Sequence, residues 1–101
     1  MSGLNSKAKR KLRRWVLAEF GDGTTAPCAM CGCLLTIDTL TLDHYPIPAC
    51  LFGHLTESNV RPACGPCNAE DGKRLDREYA FLTREERRLA RRRILEQIAA
   101  R

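Results

Sequence analysis

The pattern of apolar and polar positions divides the chain into a helix, a cysteine-bounded middle and a second helix. Leu12, Trp15, Val16 and Phe20 recur at helical spacing, and Leu4 extends the same face. They predict a helix from about Lys7 to Phe20, closed by Gly21 and the breaker Gly21-Asp22-Gly23. Leu34 to Leu42 alternates in part, and Thr39-Leu40-Thr41-Leu42 is β-prone with a period of two. This predicts the first strand of a hairpin, ending at Asp43-His44. Tyr45 to Ser58 contains two prolines and a glycine and reads as a long loop, a length that in a compact domain often serves function. A short second strand follows around Asn59 to Ala63, with Pro62 keeping it at an edge.

Pro66 sits where it could start a helix at its first turn, with Asn68 projecting from that turn and Gly72 ending it. Residues 75–82 read equally well as irregular or helical. Thr83-Arg84-Glu85-Glu86 is a capping box, so a last helix is expected from Arg84 towards Ala99. Its apolar stripe is Leu89, Ile94, Leu95 and Ile98, on a surface made basic by Arg87, Arg88, Arg91, Arg92 and Arg93. Met1 to Ser6 is small and polar, the composition of a frayed end.

At 101 residues the chain is read as one domain, with the flanks 1–27 and 75–101 around a core at 28–74. An apolar fraction of 44% that counts six cysteines, with only 6% aromatic residues, makes a modest core. A chain this size is marginal on burial alone, so a metal staple is physically useful. The sequence has no run of about 18 apolar residues and no apolar segment after its charged start. A cytoplasmic protein without membrane contact is therefore expected. In that reducing setting, paired Cys-x-x-Cys motifs mean metal more often than disulfide.

The net charge of +5 is unevenly placed. Residues 1–27 carry six Lys or Arg against two acids (+4), residues 28–72 carry Arg61 against five acids (−4), and residues 73–101 carry ten basic groups against five acids (+5). Basic arms around an acidic centre suggest a polyanion partner, most simply nucleic acid, and an acidic centre suits a divalent cation. Lys7, Lys9, Arg10, Lys11, Arg13 and Arg14 form the N-terminal basic face; Arg61, Lys73 and Arg74 are further candidates for phosphate. The competing reading of such a face is ordinary solvated surface.

Two constellations carry chemistry. Cys28-x-x-Cys31 and Cys64-x-x-Cys67 have the form of two zinc knuckles, and Gly32 after the first suits a tight, positive-φ turn. A Cys₄ zinc is coordinatively closed and structural. Cys33 could replace Cys31, though Cys-x-Cys is a less usual clip. Cys50 has no partner at metal-binding spacing and reads as a small buried hydrophobe. The second constellation, Asp43, His44, Asn59 and Asn68, lies between and directly behind the clips. Imidazole is the natural general base near neutral pH, and a carboxylate with an amide oxygen are natural Mg²⁺ ligands. Singly, each has a duller reading as a turn or helix-end residue.

The order Asp-His, Asn, Asn within two Cys-x-x-Cys pairs resembles the HNH endonuclease family over Cys28 to Arg74. The resemblance implies an α+β, ββα-metal fold with a structural Cys₄ zinc, flanked here by basic helices. It implies a metal-dependent DNA endonuclease, nicking or double-strand cutting. His44 matches the general base, Asn59 the residue that braces the loop and orients the histidine, and Asp43 and Asn68 the ligands of the catalytic ion, Mg²⁺ or another divalent cation. Cys28, Cys31, Cys64 and Cys67 match the structural zinc ligands. Gly53-His54 departs from the glycine pair common in the family, leaving His54 as loop surface or an extra contact to phosphate. Small proteins of this kind are common in phages beside terminase, which would make terminase subunits further partners and a bacterial host's cytoplasm the location. The rival expectations are a non-catalytic zinc module that binds nucleic acid, and an adaptor whose last helix docks an acidic protein.

Overall fold

The computed structural model describes residues 4–101; of the frayed end expected over Met1 to Ser6, residues 1–3 lie outside the described residues, and Asn5 and Ser6 instead cap and begin the first helix. It is an α+β domain of three α-helices and two small antiparallel sheets.

Helix α1 spans Ser6–Phe20, one residue earlier than the apolar period suggests. Asn5 sets the start, its side chain accepting from the Ala8 N–H at 2.8 Å, and Gly21 is the C-cap. Leu12, Val16 and Leu17 are the buried residues of α1. Leu17 lies outside the face expected to be buried, and Phe20 is exposed, its ring edge-on to Trp15 at 6.4 Å.

Strands β1 (Ala26–Pro27) and β2 (Leu34–Leu35) pair as a small hairpin that carries the first knuckle at its tip. The Cys28 N–H donates to the Cys33 carbonyl at 2.8 Å and the Gly32 N–H to the Cys28 carbonyl at 2.9 Å. Gly32 takes the expected left-handed conformation, φ 81°. Strand β3 (Thr41–Asp43) pairs with β4 (Arg61–Ala63) in the register Thr41–Ala63, Leu42–Pro62, Asp43–Arg61. Pro62, lacking an N–H, occupies the pair that exchanges no ladder bonds, and its carbonyl points outward to accept from the Ala29 N–H at 2.9 Å. The edge expected at Pro62 is therefore covered by the first knuckle, and Pro62 is fully buried.

Between β3 and β4 the loop makes a 3₁₀ turn at Ala49–Leu51. Gly53 is held so close to the Ile47 carbonyl that a Cβ would collide with backbone, which requires glycine there. Leu12, Val16, Leu17, Ala26, Cys28, Leu35, Leu40, Val60 and Ala63 form the core between α1 and the two hairpins, and Leu42 packs against it.

Helix α2 spans Gly65–Glu78, which corrects the helix end expected at Gly72 and decides the open reading of residues 75–78. It runs through Gly72, and residues 75–78 are its last turn. Internal glycine costs about 1 kcal/mol; Arg74, paired to Asp71 at 2.9 Å and to Glu78 at 3.1 Å, ties the turns on either side together. Helix α3 spans Arg84–Ala99 with the reciprocal Thr83–Glu86 capping box in place. It has no buried residue. Leu89, Leu95 and Ile98 of its apolar stripe are exposed, Ile94 is half-buried beside Leu75 and Tyr79, and the Arg87 guanidinium donates to the Cys50 carbonyl at 3.0 Å. Among the described residues no helix is long and apolar enough to cross a membrane.

Candidate metal centre and active site

The two knuckles are brought together by docking β1–β2 onto β4. The sulfurs of Cys28, Cys31, Cys64 and Cys67 all lie within 4.8 Å of one another. With Zn–S bonds near 2.3 Å, a tetrahedral site needs sulfurs about 3.8 Å apart; Cys31 Sγ and Cys64 Sγ are 3.9 Å apart. The four cysteines can hold one metal ion, and sulfur softness and geometry fit zinc.

Backbone donors converge on the same sulfurs. Cys28 Sγ accepts from the N–H groups of Met30 (3.5 Å), Cys31 (3.5 Å) and Cys64 (3.4 Å), and Cys64 Sγ from Cys67 (3.5 Å). Burial pushes the Cys28 thiol up, but the donors from Cys31, Cys64 and Met30 outweigh it and bring it down to about 6. The Cys67 thiol goes the other way, pushed up to about 12 by the sulfurs of Cys64 and Cys31. Packed thiolates repel one another, so full ionisation of the set requires a cation among them. Cys33 lies beside the cluster, its thiol also pushed up to about 12 by Cys31, and the ligating quartet leaves it out. Cys50 is half-buried under α3.

The second constellation is built on β3, β4 and α2. Cys64 caps α2 and Pro66 lies in its first turn, so Asn68 follows on that turn as expected. The Asn68 amide nitrogen donates to Thr41 Oγ1 at 2.9 Å and to the Leu42 carbonyl at 3.4 Å, which leaves its carbonyl oxygen for a ligand. Thr41 and Asp43 share one face of β3, because side chains alternate. Asp43 is therefore on the face that meets Asn68. Its Oδ2 accepts from Arg61 Nε at 2.7 Å, its partner across the ladder. Asp71, three residues beyond Asn68 on α2, reaches the same guanidinium at 3.6 Å.

Arg61 is thus engaged internally. It bridges Asp43 and Asp71 and lies over the Tyr45 ring, 4.0 Å from the centroid. Asp71 is a site residue that the sequence motifs do not mark; its i+3 relation to Asn68 is the available signal.

His44, half-buried, lines a cavity of about 240 Å³ with Tyr45, Arg61, Asp71 and Arg74. Burial lowers its pKa, opposed by the Asp43 charge and assisted by His54 and Lys9, so the imidazole is neutral at pH 7. Asp43 and Asn68 do not line this cavity, but Arg61, which does, is bonded to Asp43. Asn59 is buried within the loop. Its Oδ1 accepts from the Ile47 N–H at 2.8 Å, and its Nδ2 donates to the carbonyls of Ile47 (2.9 Å) and His54 (3.0 Å). It braces the loop; no hydrogen bond joins it to His44. His54 itself is exposed.

Of the basic candidates, Arg10, Arg13 and Arg14 line a groove with Ile37, Asp38 and Leu40. Lys7, Lys9, Lys11 and Lys73 are exposed, and Arg74 is tied to Asp71 and Glu78 at the cavity rim. Comparison with family models, with characterised proteins and with solved structures finds no match to this chain.

Proposed function

We propose that the chain is a metal-dependent DNA endonuclease of the HNH kind, with β3, β4 and α2 as its ββα-metal core and a structural zinc on the four cysteines. The observation that supports it best is the end of β3. There Asp43 and a neutral, half-buried His44 stand side by side, and the first turn of α2 brings the Asn68 amide to the same strand, its nitrogen on Thr41 Oγ1.

Asp43 and Asn68 fit a hard divalent cation. Each has one oxygen outside the hydrogen bonds described, Asp43 Oδ1 and Asn68 Oδ1. A divalent ion held there would supply charge stabilisation at phosphate. His44 takes a proton from water as that water attacks phosphorus, and the 3′ oxygen leaves, giving a 5′-phosphate and a 3′-hydroxyl. Asn59 keeps the loop after His44 in place. Arg61 neutralises Asp43 and Asp71 and fixes the carboxylate on its Oδ2 side. The basic face of α1 supplies phosphate contacts, with Lys9 near enough to influence His44.

The Arg61–Asp43 pair also favours a second reading, a zinc-stabilised module that binds nucleic acid without cutting it, since Arg61 gives Asp43 a structural use. Supercoiled-plasmid nicking separates the two. Wild type should nick in Mg²⁺ and not without it, and His44→Ala should be slower by about 10²-fold or more while still binding DNA. Equal nicking by His44→Ala, or none by wild type, would sink the nuclease reading.

A further inference from the structure

Helix α3 carries Arg84, Arg88, Arg91 and Arg92 at i, i+4, i+7 and i+8, which places them on one face. With Phe52 and Leu95 they line a groove of about 500 Å³. Among the described residues Arg88 alone of the four has a carboxylate partner, Glu85 at 3.2 Å. Like charges at i, i+4 oppose the helix that bears them, so this face costs stability unless an anion covers it. Arg91 Nε, like Arg13 Nε in α1, is buried with no hydrogen-bond partner. A buried donor without an acceptor is a rare and costly arrangement.

Phe52 is the second independent feature. It adopts a left-handed backbone, φ 65°, unusual for a bulky residue. The 3₁₀ turn holds it there through Phe52 N–H to the Ala49 carbonyl at 3.0 Å. Phe52 is 39% exposed and contributes to no core cluster. The fold thus places an exposed aromatic side chain in a groove of guanidiniums.

We propose that this groove binds a single strand of nucleic acid, with the arginines on successive phosphates and one unstacked base on Phe52. Arg84 to Arg92 spans about 12 Å at the helical rise of about 1.5 Å per residue. That length meets a few successive phosphates of one strand. A planar base is what an exposed aromatic among cations recognises, and stacking serves every base alike. The inference rests on the nucleic-acid part of the proposed function and is independent of its chemistry.

The test is fluorescence anisotropy with labelled dT12 and with a 12-base-pair duplex, using the full chain in Mg²⁺-free buffer. Phe52→Asn tolerates the left-handed backbone and removes the ring. It should weaken dT12 about tenfold and leave the duplex nearly unchanged. Replacing Arg88, Arg91 and Arg92 by Gln should lower the slope of log affinity against log salt for dT12 by about 2. Phe52→Trp should keep dT12 binding, which separates stacking from a folding defect. The proposal is overturned if Phe52→Asn, folded by circular dichroism, binds dT12 within twofold of wild type. It is also overturned if polyglutamate displaces dT12 as well as unlabelled dT12 does. Plasmid nicking is read separately: loss of nicking with intact Phe52-dependent binding removes the nuclease and leaves the groove standing.

Discussion

Cys64→Ser isolates the contribution of the metal centre, because serine preserves the other task of this residue. Cys64 is both a member of the sulfur quartet and the N-cap of α2, where its Sγ accepts from the Cys67 N–H. Serine is among the best N-caps, so the variant should retain or improve the cap while losing a sulfur ligand. The cost should be large because α2 contains no buried residue. Among the described residues the buried apolar side chains lie in α1, the hairpins and the loops, leaving the helix attached through the sulfurs, the Asn68 hydrogen bonds and the Arg61–Asp71 pair. Structural zinc contributes about 10 kcal/mol or more of apparent folding free energy, so one ligand of four carries about 3 kcal/mol. For a domain of this size that lowers the melting temperature by about 12–24 °C. Thermal circular dichroism and elemental analysis measure both halves. Cys33→Ser, which removes the neighbouring thiol outside the quartet, should melt within a few degrees of wild type with one zinc per chain. The reasoning fails if Cys64→Ser keeps full zinc and melts like wild type, or if folded wild-type protein contains no zinc.

Asn59→Ala removes the side chain that pairs both backbone groups of Ile47 and the His54 carbonyl, so stability should drop by about 2–4 kcal/mol, since unsatisfied buried groups cost about 1–3 kcal/mol each. Urea unfolding checks this, and a change under 0.5 kcal/mol (about the scale of a surface substitution) would show that the loop does not depend on it. Charge reversal of Arg10, Lys11, Arg13 and Arg14 to Glu should weaken duplex binding and flatten its salt dependence by about 0.9 for each phosphate no longer neutralised; an unchanged slope makes this face ordinary surface. Asn68→His should keep some cleavage and shift preference towards transition metals, while Asn68→Ala should be the slower of the two, as measured by nicking rates in Mg²⁺ and Mn²⁺. Equal rates for both variants would remove Asn68 from the ligand set.

What is legible in the sequence is local chemistry. Two Cys-x-x-Cys knuckles define their own turns, and Gly32 does take its left-handed conformation, because three or four residues decide both. Thr83 and Glu86 form their capping box for the same reason. The pairing of knuckles across 32 intervening residues follows from sulfur chemistry rather than from any prediction of topology. The apolar period alone starts α1 one residue late, because the start is decided by the Asn5 cap and not by a buried face.

The rest depends on contacts made at a distance. Gly72 as a helix end is a sound local reading, yet the helix continues through it, and Arg74 reaches one way to Asp71 and the other to Glu78. Arg61 reads as a phosphate contact because its charge is visible in the sequence and its ladder register is not. Only the pairing of Asp43 with Arg61 reveals that the guanidinium closes on two carboxylates and a tyrosine ring. The α3 stripe shows a further limit. Periodicity locates an apolar face but not its neighbour, and here Leu89, Leu95 and Ile98 meet solvent. Ile94 alone of the stripe is half-buried, beside Leu75 and Tyr79, and Arg87 fastens α3 to the 3₁₀ turn by a polar contact that a sequence period cannot encode. The same fastening sets the arginine face beside Phe52, so the groove depends on the meeting of a loop of little regular pattern with a helix that has no fully buried residue.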